Sequence, residues 1–248
     1  MVELAWIDLF GPATVTDAKR TAQELLDWSR AAGVQGTEAI ALGYLGRLTA
    51  MVGKFDEARR LVEAAGALSN QLGRRYLVAG NFAWWMGLVE WLAGDPAAAT
   101  RELRSGYEQL ERLGDRTMRP DIAADIARML YLQDRLDDAF TYTQISEEFG
   151  PLTEVKVGIG WRGVRAMILA RRGERSAAVN LAREAVATAQ TTDMLFYHAR
   201  ALEDLAEVLE LSGSSDEARH VLAEAIGLYE QKGITVLAER ARHRQPAL

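Results

Sequence analysis

An all-α stack of helical hairpins is the fold this sequence predicts, and three observations predict it. Helix breakers are rare: 248 residues hold only five prolines, at 12, 96, 120, 151 and 246. Apolar residues recur at intervals of three and four, as in Leu42, Leu45, Leu48 and Val52 or Leu202, Leu205, Val208 and Leu209, which is the amphipathic-helix period. No run alternates with period two, and no Asn-Gly or Asp-Gly hairpin signal is present.

An internal repeat turns that helical signal into an architecture. Segments beginning at Gly53, Gly94, Asp134, Gly173 and Gly213 align without gaps, spaced 41, 40, 39 and 40 residues apart. Five residues after each start stands an alanine: Ala58, Ala99, Ala139, Ala178 and Ala218. Small residues recur seven before (Gly46, Gly87, Ala127, Ala166, Ala206) and twelve after (Ala65, Gly106, Ser146, Ala185, Ala225). Such a column of small side chains lets the two helices of a hairpin, and the next first helix, approach closely. Glycine at the turn supplies the positive φ that closes the first helix.

The elements follow in order. Residues 2–10 read as the tail of a first (A) helix, ended by Gly11-Pro12, and Thr16 to Ala32 as the second (B) helix of an incomplete repeat at 1–36. Five full hairpins over 37–233 follow at 37–52 and 55–72, 76–93 and 96–113, 119–133 and 136–148, 153–172 and 175–191, 194–212 and 215–231. Asp95-Pro96 is an N-cap followed by proline at the first helical position. The stretch 234–248 reads as a capping helix, Ile234 to Arg244, with a charged outer face and a short tail. Asp134 in place of a turn glycine, with Thr143 at an apolar register position, marks the third hairpin as the irregular and softest one.

Composition excludes several classes of function. There is no cysteine, so disulfides, thiol catalysis and zinc ribbons are excluded. With 29 basic and 35 acidic residues the formal charge is −6, which argues against a broad nucleic-acid surface. No apolar stretch reaches membrane-span length, and the acidic N-terminus lacks the basic region of a signal peptide. The expectation is a cytoplasmic protein without membrane contact.

Catalytic motifs are scarce. His198, His220 and His243 have no ligand at helical i+4 spacing. Asp121 and Asp125 lie one turn apart, and Glu203, Glu207 and Glu210 share a face; a solvated face or an Asp125–Arg128 ion pair explains the first better than acid/base chemistry does. No phosphate loop is present. The sequence predicts no enzyme, no metal and no cofactor.

The small–small–glycine–alanine–small pattern resembles the tetratricopeptide repeat, with a period of about 40 residues instead of 34. Three stretches are more specific: Ala41 to Leu48 leading to Gly53–Val62, Gly87 to Arg104, and Trp161 to Val186. They are similar to the C-terminal helical-repeat region of large bacterial regulators. In those, an adenylate/guanylate cyclase or DNA-binding domain precedes a signalling ATPase. The resemblance implies a right-handed solenoid whose chain starts in mid-repeat, and a sensor or scaffold role, with none of the catalytic parts.

That resemblance also implies a concave groove lined by A helices. Its register assigns to the groove Arg47 and Met51, then Asn81, Trp84, Leu88 and Trp91. Asp121, Arg128, Tyr131, Met167, Arg171, Arg200, Glu203, Glu207 and Glu210 follow. Tryptophan and arginine dominate many interfaces, but Trp84 and Trp91 sit among Phe82, Trp85 and Met86 and fit core packing equally. The expected function is non-catalytic binding of a peptide or protein partner. The alternatives are a ligand sensor built on Trp84, Trp91 and Tyr131, and self-assembly through Leu4, Trp6, Ile7, Leu9 and Phe10.

Overall fold

The computed structural model describes residues 1–73, 78–150 and 155–244. Thirteen α-helices are present among them and no strand. They are α1 (Val2–Phe10), α2 (Val15–Ala31), α3 (Gln35–Met51), α4 (Phe55–Gln71), α5 (Ala83–Leu92), α6 (Pro96–Arg112) and α7 (Arg119–Leu132). After these come α8 (Leu136–Phe149), α9 (Val155–Arg171), α10 (Arg175–Gln190), α11 (Leu195–Ser212), α12 (Ser215–Lys232) and α13 (Thr235–Arg244). The expected helix starts at 76 and 153 and the tail after Arg244 fall outside the described residues. No described helix is long and apolar enough to cross a membrane.

The hairpins form as their turn chemistry dictates. Gly53, Gly94, Gly173 and Gly213 carry φ between 81° and 88°. At each, the glycine N–H bonds three residues back and the next N–H five back, as in Lys54 N–H to the Thr49 carbonyl at 3.2 Å. This double bond closes the orphan carbonyls at the end of an A helix. Asp134 makes the same two bonds at φ 60°, so the third hairpin turns as the others do. Short polar side chains tolerate the left-handed region, and the Asp134 carboxylate takes a 2.6 Å bond from Arg171.

Thr143 likewise causes no irregularity. It is fully buried, donates to the Phe140 carbonyl at 2.7 Å and accepts from Arg165 Nε at 3.0 Å. The starts of α6 and α2 are capped by side chains: Asp95 accepts from Ala98 N–H at 2.7 Å with Pro96 in the first turn, and Thr14 accepts from Asp17 N–H at 3.1 Å. Small residues let the paired helices touch: a Cβ on Gly46 would stand 2.6 Å from Val62, and one on Gly87 2.7 Å from Leu103.

One stretch departs from a regular α-helix. Val78–Phe82 is a π-helical turn leading into α5, where a continuous helix was expected. Wide turns of this kind accompany unusual packing. Here the Phe82 ring presses on Gly66 and Met118 lies against Gly80, so close that a Cβ on either glycine would fall within 2.6 Å.

The helices group into two units. One is Met1–Met118 with Gly233–Val236; the other is Arg119–Lys232 with the chain from Leu237 onward. In the first, α2 and α4 bury Ala22, Leu25, Ala58 and Val62 against the nearly all-buried α3. In the second, α7, α9 and α11 pack side by side with α8, α10 and α12 behind them.

Candidate partner-binding face

In the first unit, all the expected groove residues except the half-buried Asn81 pack inward. Arg47 is 1% exposed, with its Cζ 4.1 Å from the Trp84 ring centre and 4.8 Å from that of Phe10. The guanidinium is thereby sandwiched between aromatic faces, a cation–π arrangement. Met51, Trp84, Leu88 and Trp91 are buried as well. Both tryptophans thus take the packed alternative, and these five side chains form interior where an open surface was expected. Register fixes the direction of a Cβ but not what lies over it: the Phe10 ring of α1 packs on both Arg47 and Trp84.

In the second unit, α7, α9 and α11 assemble a polar network. Arg128 of α7 donates from Nη1 to Asp204 Oδ1 of α11 at 2.8 Å and from Nη2 to Oδ2, a bidentate pair across 76 residues of sequence. Both are buried. The intervening α9 makes room with Gly163, where a Cβ would sit 2.1 Å from the Asp204 carboxylate. Burial works against the Arg128 charge, but Asp204 outweighs it and holds the guanidinium above its ordinary pKa.

The rest of the network surrounds this pair. Tyr131 donates to Glu207, and the fully buried Tyr229 of α12 donates to Glu203 at 2.8 Å. Burial, reinforced by the adjoining carboxylates, pushes both phenols up, Tyr229 well above its ordinary range. Arg244 of α13 bonds Glu203 at 3.1 Å and Glu207 at 2.9 Å. Lys156 reaches Asp121 at 2.8 Å, and Arg200 lies 3.6 Å from Asp125.

Of the residues assigned to the groove here, Arg128, Tyr131, Met167 and Arg200 are buried. The expected Asp125–Arg128 ion pair is replaced by Arg128–Asp204. Asp121, Glu203 and Glu207 are partly exposed, and Arg171 and Glu210 are exposed. Glu203 and Glu207 are engaged by tyrosine and arginine, and among the described residues no cluster of histidine, aspartate or glutamate has the makings of a metal site. Asp204, Tyr229 and Arg244 escaped the sequence reading. A signal existed: glycines at 160 and 163 inside a helix each cost about 1 kcal/mol, so they mark a close approach.

Comparison with solved structures places this architecture. BtubC (BKLC) from P. vanneervenii matches over 94% of each chain with TM-score 0.63 and 13% identity. The apo form of the quorum sensor NprR from B. thuringiensis matches 98% of this chain and 71% of its own, with TM-score 0.59 and 12% identity. A putative kinesin light chain of Podosopora anserina with nearly identical TPR-like repeats matches 76% of this chain and 92% of its own, with TM-score 0.51 and 16% identity. The fold is a tetratricopeptide-like helical solenoid. No protein-family model matches the chain, and no curated protein does.

Proposed function

We propose that this protein is a non-catalytic interaction module that binds a polypeptide segment on the face formed by α7, α9 and α11. The observation that carries the proposal is the Arg128–Asp204 pair with its Tyr131–Glu207 and Tyr229–Glu203 neighbours. Buried and mutually bonded, these groups fix the A helices and hold the partly exposed Glu203 and Glu207 in place, while Lys156 and Arg200 engage the partly exposed Asp121 and Asp125. A pre-positioned polar rim binds a segment at low ordering cost. The rim carboxylates Asp121, Asp125, Glu203, Glu207 and Glu210 outnumber its partly or fully exposed cations Lys156, Arg171 and Arg244, so the favoured partner segment carries lysine or arginine. The likeness to a quorum sensor and a kinesin light chain supports a binding role through fold alone.

The relay role within a bacterial regulator rests on the sequence resemblance of residues 41–62, 87–104 and 161–186. The experiment for the binding role is selection of peptides from a random library against the full chain, then titration by fluorescence anisotropy. Selected peptides should be enriched in basic residues and lose affinity at least tenfold with Glu207→Ala plus Glu210→Ala. Selection of no binder, or of binders indifferent to those changes, would sink the proposal.

A further inference from the structure

Glu203 and Glu207 stand one turn apart on α11, and each has one carboxylate oxygen fixed by a tyrosine. Tyr229 donates to Glu203 Oε2 at 2.8 Å, and Tyr131 donates to Glu207 Oε1. The remaining oxygens, Glu203 Oε1 and Glu207 Oε2, are gathered by a single guanidinium. Arg244 of α13 donates to the first from Nη1 at 3.1 Å and to the second from Nη2 at 2.9 Å. All four oxygens are thereby engaged, two by buried tyrosines and two by one arginine.

Arg244 is held more loosely than the groups around it. Arg128, Tyr131, Arg200, Asp204 and Tyr229 are buried, whereas the Arg244 side chain remains 38% exposed. Two other cations of this rim, Lys156 and Arg171, stand on α9 within the face, but Arg244 is brought in from α13. That helix is anchored through Ala241, fully buried with Ala206, Leu222 and Ile226, and Arg242, His243 and Arg244 after it are exposed. The arginine can therefore leave the two carboxylates by rotation of its side chain, with the apolar contact of α13 intact. What it gives up is a pair of partly exposed, charge-assisted bonds, which another guanidinium can replace in kind.

We infer that Arg244 is a built-in competitor for the Glu203–Glu207 pair, which an arginine of the partner segment must displace. The inference rests on the basic-segment binding proposed above and gives the rim an occupant in the free protein. A partner arginine carries the same planar fork as Arg244 and so matches the same two oxygens. The rim accepts it only in the fraction of molecules whose Arg244 has swung away, and the apparent affinity is lowered by that fraction. The contact thus sets a threshold. A segment with one isolated cation gains nothing over Arg244, whereas one that also engages the exposed Glu210 of the same face outcompetes it.

Fluorescence anisotropy of a labelled hexa-arginine peptide, titrated with the full chain at low ionic strength, tests this. Arg244→Gln should bind about fivefold more tightly than the wild type, with an unchanged circular dichroism spectrum because the side chain is exposed. Arg242→Gln removes the same charge from α13 at its bond to Glu230 and should match the wild type within about twofold. Adding Glu203→Gln and Glu207→Gln to Arg244→Gln should abolish the gain. Should Arg244→Gln fail to fold, Arg244→Lys, which keeps the charge but loses the fork, should show the gain in smaller measure. A wild type that binds as tightly as the Arg244 variant, or an equal gain in Arg242→Gln, would overturn the inference and leave the binding role standing. A gain that survives the two glutamine changes would overturn it as well. Peptide bound by none of these proteins would overturn the binding role and the inference together.

Discussion

Arg128 and Asp204 form a buried, two-pronged ion pair that spans a whole intervening helix. One side chain comes from α7 and the other from α11, and they meet through the gap at Gly163 of α9. Three A helices are thereby tied by one contact, in addition to the nearest-neighbour packing that stabilises a helical repeat array.

Removing one partner leaves a buried charge alone, which costs about 3–5 kcal/mol. Arg128→Ala and Asp204→Ala are each expected to lose that much in urea denaturation. Arg128→Met with Asp204→Leu should lose less than either, since replacing both partners by apolar groups is often neutral. Equal or additive losses would contradict a mutually dependent pair. Arg128→Ala is consequently a stability probe and not a clean probe of partner binding.

Gly163→Ala tests the gap directly. The added Cβ would stand 2.1 Å from Asp204 Oδ2, so the carboxylate must leave its seat against Arg128. A loss of about 2–4 kcal/mol is expected, combining overpacking with a weakened ion pair. In an Asp204→Ala background the same change should cost much less. A Gly163→Ala protein as stable as the wild type would show that α9 yields easily.

Much of this fold was legible because it rests on local rules. The glycine column at 53, 94, 173 and 213, the Asp95-Pro96 cap and the 40-residue spacing depend on turn chemistry within a few residues. Asp134 was misjudged for the same reason: a rule favouring glycine suggested irregularity, yet the aspartate adopts the same φ sign and bonds. The binding face was less legible. Register gave the direction of Arg47 and Trp84, but Phe10 decides their burial and lies 37 and 74 residues away in sequence. Arg128 found a partner two hairpins on, and only the glycines of α9 hinted at it.

Asp134 supplies a backbone prediction. A left-handed conformation costs an ordinary side chain about 1–2 kcal/mol, and aspartate less. Asp134→Ala should lower stability by roughly 1 kcal/mol, whereas Asp134→Gly should hold or raise it. The exposed bond to Arg171 adds little to the balance. Thermal unfolding of the two variants decides the matter, and an alanine variant as stable as the glycine one would contradict the assignment of strain.

Tyr229 and Tyr131 predict an alkaline limit. Their folded pKa values are raised, chiefly by burial and then by Glu203 and Glu207. In the unfolded chain both phenols titrate near 10. Above that pH the unfolded state releases protons the folded state keeps, so stability is complete below about 10 and falls as pH climbs further. Tyr229→Phe should lose about 1–2 kcal/mol at neutral pH with its bond to the Glu203 carboxylate, but its stability should decline less steeply between pH 10 and 11. Urea midpoints measured from pH 8 to 11 check this, and parallel wild-type and variant curves would rule out Tyr229 as a source of the alkaline loss.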